Sequence, residues 1–271
     1  MKQRIIVAVI FVPVLFIAMF FAPPWVFAII TAFISGLSAY ELIKAVGAGY
    51  NKRVYAYGVL GAVAIQAGVL FRQGDFVLKI VLFLLMVAMF AEAIAAFKHE
   101  RRITFANIVS VIFAGGIIPC FLSSLLSLRM YESGRLWVLI PFICAFVTDG
   151  GAYFVGVFLG KHKATPNISP KKTYEGFAGG LVIGTAALAL YGAILSLCGM
   201  EVNFLAMVLY GAAGAIVTEI GDLAFSMIKR EYGVKDYGTL LPGHGGMLDR
   251  FDSMVFAAPV IYLLTQVFPA F

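Results

Sequence analysis

Two pairs of carboxylates at helical spacing are the residues of this sequence best suited to chemistry. Glu219 and Asp222 stand three positions apart within a mostly apolar run, and Asp249 and Asp252 repeat that spacing. Residues three apart share one face of an α-helix. Two carboxylates this close in a low dielectric repel each other unless a cation lies near them. A divalent metal ion is the economical resolution for Glu219 and Asp222, although the proton relay of a transporter would use the same residues.

Asp149 lies in the middle of another apolar run and is followed by small residues. Gly150 and Gly151 would let other backbone or a ligand approach closely. Tyr153 and Gly156 share the helix face of Asp149. This feature alone leaves a functional role and simple helix packing equally open.

Glu41 and Glu92 fall near the ends of predicted helices. An ionisable side chain in a membrane needs a partner, water or a ligand. We therefore expect these two carboxylates to reach the membrane interface or to pair with Lys44 and Lys98.

Residues 160–173 form a basic segment between two apolar runs. Lys171 and Lys172, with Ser169 and Thr173 beside them, supply cations and hydroxyl groups suited to phosphate oxygens. A basic loop is ordinarily only a topology signal, so this segment does not establish phosphate binding without other evidence.

Residues 229–252 combine both signs of charge with glycine. Gly243, Gly245 and Gly246 surround His244, and such a stretch lets backbone amides wrap an anion. The carboxylates that open the next helix should lie at the level where Asp222 leaves the preceding one. Cations, glycine amides and converging carboxylates are together the groups that would bind a metal-bound polyphosphate.

The composition indicates which kind of structure must hold these residues in place. The chain has 271 residues, of which 62% are hydrophobic and 13% charged, with a mean hydropathy of +0.98, which excludes an ordinary soluble enzyme and a disordered chain. The three cysteines stand singly in apolar runs and indicate packing rather than zinc or disulfides. Long unbroken apolar runs favour helices over a β-barrel. Nine spans are predicted, at 5–22, 25–46, 54–71, 76–97, 104–128, 136–160, 175–199, 204–228 and 251–269.

The predicted fold class is therefore all-α, a polytopic membrane bundle of about nine transmembrane helices. We predict a single membrane domain, 1–271, in which helices one to five (5–128) are scaffold and helices six to nine (136–271) carry the catalytic part. With the N-terminus cytoplasmic, sixteen of the 20 Lys and Arg residues fall in inner segments, as the positive-inside rule requires. The net charge of +6 thus reflects topology and attraction to membrane lipids, with no indication of nucleic acid. The first span also has features of a signal peptide, but we favour a retained helix.

The segment from Ser226 to Asp252, SMIKREYGVKDYGTLLPGHGGMLDRFD, resembles the signature of the phosphatidate cytidylyltransferases, also called CDP-diacylglycerol synthases. The stretches 149–156 and 169–176 also resemble family motifs, with Tyr174 where tryptophan is more usual. The resemblance is tight in the second half of the chain and loose in the first.

This resemblance implies a reaction in which phosphatidate and CTP give CDP-diacylglycerol and pyrophosphate. It implies Mg²⁺ or another divalent cation as cofactor, with a second cation left open. It also implies an integral protein of the bacterial inner membrane with its active site facing the cytoplasm, and it makes a homodimer plausible. A CTP-dependent enzyme resembling polyprenol kinases, and a secondary transporter using Asp149, Glu219 and Asp222, are the alternatives.

The resemblance also implies the roles of particular residues. We assign metal binding to Asp222 and Asp249, with Asp149, Glu219 and Asp252 as further candidates. Lys171 and Lys172 complete the catalytic set. The expected substrate-binding residues are Ser169, Thr173, Lys229, Arg230, Lys235, Asp236, His244, Gly245, Gly246 and Arg250. His244 is expected to donate a hydrogen bond to phosphate rather than to act as a general acid.

Overall fold

The computed structural model describes residues 13, 16–97, 102–240 and 245–271, and helices dominate them. In chain order these helices are α1 (Pro24–Ala45), α2 (Lys52–Leu70), α3 (Gly74–Ala96), α4 (Phe105–Ile112), α5 (Ile118–Arg129), α6 (Gly134–Trp137), α7 (Leu139–Phe158), α8 (Tyr174–Leu197), α9 (Phe204–Glu231) and α10 (Leu248–Val267). A π-helical turn, Phe113–Ile117, joins α4 to α5. Two strands, β1 (Lys163–Thr165) and β2 (Ser169–Thr173), precede α8.

The polytopic helical fold predicted from the sequence is confirmed. Seven helical segments in the described residues are long and apolar enough to cross a membrane, and each coincides with a predicted span. The predicted span 5–22 falls largely outside the described residues. The predicted span 251–269 is the helix α10, which is not among those seven segments. The chain is therefore an integral membrane protein.

Contacts divide the chain into two compact units. The first unit comprises residues 1–132 and 231–251, and the second comprises residues 133–230 and 252–271. The chain thus leaves the first unit after α5 and returns to it for the glycine-rich segment that follows α9.

Buried polar contacts connect the helices of the first unit. Helix α2 packs against α1, α3 and α5. Within that packing, Nε2 of Gln66 donates to Oγ of Ser35 at 3.0 Å and to the carbonyl of Pro119 at 3.2 Å. Because an unpaired amide would be costly in this environment, these bonds fix the relative positions of three helices.

The π-helical turn of the first unit lies where two backbones approach closely. A Cβ atom at Gly115 would lie 2.7 Å from Cα of Gly58, and one at Gly61 would lie 2.8 Å from the carbonyl oxygen of Gly115. Only glycine allows this separation. Helix α2 therefore packs directly against the main chain of the π-helical turn.

Local sequence explains where the helices of the first unit begin. Pro24 occupies the first turn of α1, where its missing N–H would have no helical partner. Asn51 caps α2 by accepting a hydrogen bond from the N–H of Val54 at 3.1 Å. Thr104 and Asn107 form a capping box at the start of α4.

Small residues bring α7 and α8 together in the second unit. A Cβ atom at Gly176 would lie 2.8 Å from the carbonyl oxygen of Ala152, and one at Gly180 would lie 3.0 Å from that of Thr148. Residues four apart lie on one face of α8, so these glycines form a close seam against the part of α7 that carries Asp149.

The basic segment between α7 and α8 is a hairpin, which the sequence analysis treated only as a loop. Strands β1 and β2 pair antiparallel, with Lys163 opposite Thr173. The hydroxyl of Thr173 accepts a hydrogen bond from the N–H of Gly176 at 3.1 Å and so caps α8. Nε of Arg230 donates to the carbonyl of Ile168 at 3.1 Å. The hairpin is thereby fixed to the ends of both α8 and α9.

Candidate active site

Lys172 forms ion pairs with both carboxylates of the pair on α9. Its Nζ lies 2.6 Å from Oδ2 of Asp222 and 3.1 Å from Oε2 of Glu219. The side chains of Lys172 and Glu219 are only 17% and 10% exposed, whereas that of Asp222 is 28% exposed. The hairpin therefore delivers a cation to the position where the sequence analysis expected a metal ion.

Two opposing effects act on the ammonium group of Lys172. Burial alone would lower its pKa, but the negative charges of Asp222 and Glu219 outweigh burial and raise the pKa above its usual value. The same nitrogen lies 5.2 Å from the centre of the Phe177 ring. Lys172 is therefore a permanent cation at neutral pH.

A cavity of about 500 Å³ opens beside this ion pair. Its walls come from α7, the hairpin and the ends of α8 and α9, and they carry three lysines and two aspartates. The lining residues are Asp149, Ala152, Tyr153, Gly156, Val157, Lys163, Lys171, Lys172, Thr173, Gly176, Phe177 and Asp222. Such a cavity suits an anionic ligand with an apolar portion.

Ser253 connects two further acidic residues of the second unit. Its hydroxyl donates to Oδ2 of Asp149 at 3.0 Å, and its N–H donates to Oδ1 of Asp252 at 2.8 Å. A Cβ atom at Gly221 would lie 3.2 Å from the carbonyl oxygen of Asp252, so α10 passes directly beside the residue preceding Asp222. The structure thus brings Asp149, Asp222 and Asp252 into one neighbourhood, where Asp222 and Asp149 repel Asp252.

One carboxylate oxygen in this neighbourhood is incompletely paired. Among the described residues, Oε1 of Glu219 is buried without a hydrogen-bond partner, while its other oxygen contacts Lys172. Lys229 attracts Asp252, which lies beside the repelling carboxylates of Asp222 and Asp149. A buried carboxylate that is incompletely paired favours the arrival of another cation.

A magnesium ion in this neighbourhood would need ligands besides the described side chains. In the described ranges, no group of three Asp, Glu, His or Cys side chains lies close enough to hold a metal ion. Mg²⁺ commonly uses one or two carboxylates together with substrate phosphates instead of a full protein cage. Asp222, which is the more exposed member of its pair, can offer such a ligand.

Other predicted site residues of the second unit lie in the hairpin and in the last turn of α9. Lys171 is exposed, whereas Ser169 is partly buried in β2. Lys229 and Arg230 end α9, with Lys229 partly buried and Arg230 exposed. The structure therefore places Lys171, Lys229 and Arg230 in the second unit, which also holds the carboxylates of α9.

The predicted site residues at 235–250 belong to the first unit. Oδ2 of Asp249 accepts hydrogen bonds from the N–H groups of Tyr237 at 2.8 Å and Gly246 at 2.9 Å. Gly245 has a φ of +82°, which favours glycine. Lys235, Asp236 and Arg250 are exposed, and His244 lies outside the described residues. Asp249 thus holds the glycine-rich segment, and its predicted metal binding stays a prediction.

Glu41 has partners that the sequence analysis did not expect. Its side chain is buried, and Oε1 and Oε2 accept hydrogen bonds from the N–H groups of Met247 and Leu248 at 3.0 and 2.9 Å. The interface position or Lys44 pairing predicted for it is wrong, because two backbone donors at the start of α10 satisfy the carboxylate instead.

Glu92 also has unexpected partners. Its carboxylate accepts hydrogen bonds from the hydroxyls of Tyr50 at 2.8 Å and Tyr57 at 3.1 Å, and from Nδ2 of Asn51 at 3.3 Å. Arg53 lies 3.8 Å away. Neutral donors at the start of α2 therefore satisfy Glu92, while the predicted partner Lys98 lies outside the described residues.

Comparison with known proteins identifies the family. The family model described as "Cytidylyltransferase family" matches residues 2–268. The chain belongs to the cytidylyltransferase family. It is therefore an enzyme, a nucleotidyltransferase, and the resemblance found in the sequence is confirmed.

Three bacterial proteins named phosphatidate cytidylyltransferase are similar to this cytidylyltransferase. The protein of that name from Bacillus subtilis (strain 168) is 31% identical over 274 residues, covering 99% of this chain and 98% of its own. The Mycobacterium bovis (strain ATCC BAA-935 / AF2122/97) protein is 37% identical over 60% of this chain and 52% of its own. The Staphylococcus haemolyticus (strain JCSC1435) protein is 42% identical over 49% of this chain and 50% of its own.

Three residues of this cytidylyltransferase, two in the second unit and one in the first, have partners or positions that were not predicted from the sequence. Lys163 lines the cavity, Ser253 holds Asp149, and Glu41 holds the start of α10. Lys163 lies in the basic segment 160–173, and Ser253 directly follows the signature segment 226–252. Their positions in the sequence could therefore have indicated a role in the site. Glu41 gave no such signal because its partners are 206 and 207 residues away.

Proposed function

We propose that this cytidylyltransferase joins CTP to phosphatidate, giving CDP-diacylglycerol and pyrophosphate. The relatives named phosphatidate cytidylyltransferase support this choice of lipid substrate. The observation that carries the proposal is Lys172, held between Glu219 and Asp222 at the wall of a lysine-lined cavity in a membrane protein. A cavity of this kind suits an anionic lipid headgroup and a nucleotide phosphate.

The proposed reaction needs charge neutralisation more than proton transfer. A phosphatidate oxygen that is already ionised forms a new bond to the α-phosphorus of CTP. The bond from that phosphorus to the oxygen of the β-phosphate breaks, and pyrophosphate leaves with the electron pair. Lys163, Lys171 and Lys172 would offset the repulsion between the two polyanions.

Asp222 is the carboxylate that we assign to a magnesium ion, and metal binding by Asp249 of the first unit stays a separate prediction. When bound, the metal ion supplies electrostatic stabilisation of the phosphate oxygens and of the leaving pyrophosphate. The residues of the chain orient this chemistry: Lys172 holds Asp222, and Ser253 holds Asp149. A second cation is part of the proposal because no group among the described residues hydrogen-bonds to Oε1 of Glu219.

The proposed location is the bacterial cytoplasmic membrane, with the hairpin and the segment 229–252 at the cytoplasmic face. This orientation gives the water-soluble nucleotide and the lipid access from their own phases, and it agrees with the distribution of Lys and Arg. Labelling single cysteines introduced at Lys171 and Lys235 in sealed inside-out vesicles should modify both. Labelling only in right-side-out vesicles would overturn the orientation.

Product analysis tests the reaction. Purified protein given CTP and phosphatidate should release pyrophosphate in equal amount to the CDP-diacylglycerol formed. Release of CDP instead would indicate phosphoryl transfer of the polyprenol-kinase type. Gradient-dependent uptake in vesicles without consumption of nucleotide would indicate a transporter.

A further inference from the structure

Glu41 occupies a space that two glycines of the segment 237–248 leave open. A Cβ atom at Gly238 or at Gly246 would collide with the carboxylate of Glu41. Only glycine therefore fits at either position while Glu41 keeps its place. The glycines and the carboxylate fit one another as a single packed arrangement within the first unit.

The carboxylate of Glu41 also satisfies the N-terminus of α10. The first N–H groups of a helix have no partner inside the helix, and the helix dipole favours an anion at that end. Each oxygen of Glu41 takes one such donor, from Met247 and from Leu248. Removing the carboxylate would leave two buried donors unpaired and free the start of α10 to move.

The start of α10 in turn controls Asp249. This residue lies in the first turn of α10, and its Oδ2 accepts from the N–H groups of Tyr237 and Gly246. Gly246 directly precedes Met247, the residue that Glu41 holds. A shift of this turn would therefore displace the carboxylate of Asp249.

We infer that Glu41 is a positioning residue of the transfer reaction, which acts by fixing the turn 245–249 and with it Asp249. The inference rests on the proposed function, because Asp249 is a predicted metal ligand there. The effect of Glu41 reaches the chemistry through the hydrogen bonds to Met247 and Leu248.

The variant Glu41→Gln tests this role with little change of volume. An amide has one acceptor oxygen and an NH₂ group, so it can accept from one of the two N–H groups and must oppose the other. We expect kcat to fall by about tenfold to a hundredfold, and the magnesium concentration for half-maximal rate to rise by about tenfold. Hydrogen exchange at the amides of Met247 and Leu248 should become faster.

Glu92→Gln is the matched control. It is the same substitution in the same unit, and the described partners of Glu92 all belong to residues 50–57. Loss of general stability should affect both variants, whereas the change in magnesium requirement and the faster exchange at Met247 and Leu248 should occur only in Glu41→Gln. Equal kinetics in the two variants, or faster exchange without a kinetic change, would overturn the inference.

A double-mutant cycle keeps the test decisive if Glu41→Gln folds poorly. Gly238→Ala should lose activity because its methyl group collides with Glu41, and it should cost much less in a Glu41→Ala background, where that space is empty. Additive losses would overturn the inference. Absence of CDP-diacylglycerol synthesis by the unaltered protein would instead reject the proposed function, while the exchange measurement would still report whether Glu41 holds the turn.

Discussion

Lys172 lies 2.6 Å from Asp222 through an Nζ to Oδ2 contact, and this ion pair joins the hairpin to α9. The two residues are 50 positions apart in the sequence: Lys172 lies in the stretch 169–176, which resembles a family motif, and Asp222 lies just before the signature segment that begins at Ser226. Their contact means that the basic segment and the acidic helix form one electrostatic unit. Substitution of Lys172 or Asp222 should therefore reduce activity more than substitution of an exposed charged residue.

Lys172→Gln should reduce activity far more than Lys171→Gln. The first change leaves Glu219 and Asp222 without their shared cation, whereas Lys171 is exposed and keeps Lys172 as a neighbour. We expect activity to fall by about a hundredfold or more for Lys172→Gln and about tenfold or less for Lys171→Gln. Steady-state rates of the purified variants measure the difference. Equal losses would show that the lysines act independently of the ion pair.

The charge on Lys172 should not change near neutral pH, so it should contribute nothing to the pH dependence of protein stability there. Its pKa is raised above the usual value of about 10.4, so the stability supplied by the ion pair is fully present below that pH and is lost only as the pH rises through the higher folded-state pKa. Thermal stability of the protein and of Lys172→Gln should therefore differ by a constant amount between about pH 7 and pH 9. A difference that shrinks over this range would contradict the raised pKa.

Gly180→Ala should disturb the site through Glu219. The new methyl group would lie 2.8 Å from Oε1 of Glu219 and 3.0 Å from the carbonyl oxygen of Thr148, so α8 or Glu219 must move. We expect a loss of activity of about tenfold or more. Gly150→Ala is the matched control, because no atom of the described residues outside its own helical surroundings lies within 4 Å of a Cβ atom at that position. Similar activity in the two variants would exclude a tight requirement on Glu219.

Asp222→Asn and Asp249→Asn should each reduce turnover by about several hundredfold while the protein stays inserted and folded. Asparagine keeps the shape of aspartate but removes the charge that a divalent cation needs. Activity of folded protein in detergent provides the measurement. Near-normal turnover in either variant would remove that carboxylate from the proposed metal site.

Thr173→Val should weaken the start of α8. Valine keeps the branched shape, but it removes the oxygen that accepts from the N–H of Gly176. The expected loss of folding free energy is about 1 kcal/mol, which is typical of a lost helix cap. Thr173→Ser retains the hydroxyl and should stay close to the unaltered protein in thermal unfolding. A loss that is equal in both variants would assign the effect to packing against Gly156 and Gly160 instead.

The membrane helices could be predicted from the sequence because their signal is local. Twenty or so consecutive apolar residues are visible without any knowledge of tertiary contacts. The hairpin could not be predicted so easily, since β1 has three residues and β2 five, both within a polar segment. Their pairing depends on the close approach of α7 and α8.

The site residues were partly predictable for a related reason. The spacing of Glu219 and Asp222 indicated a divalent metal ion or a proton relay, but spacing cannot tell a metal ion from an ammonium group, and the structure places Lys172 beside both carboxylates. Glu41 was assigned to the membrane interface because a carboxylate near a helix end looks ordinary in one dimension. Its role follows only from contacts with residues more than two hundred positions away.

Transfer of label from cytidine-labelled CTP into lipid is the most direct test of the proposed reaction. Purified protein in detergent would be given phosphatidate and labelled CTP, with magnesium or with a chelator. We predict magnesium-dependent appearance of label in the lipid phase, with pyrophosphate released in equal amount. Folded protein that leaves all cytidine label in the aqueous phase, with magnesium and phosphatidate present, would contradict the proposed cytidylyl transfer to phosphatidate.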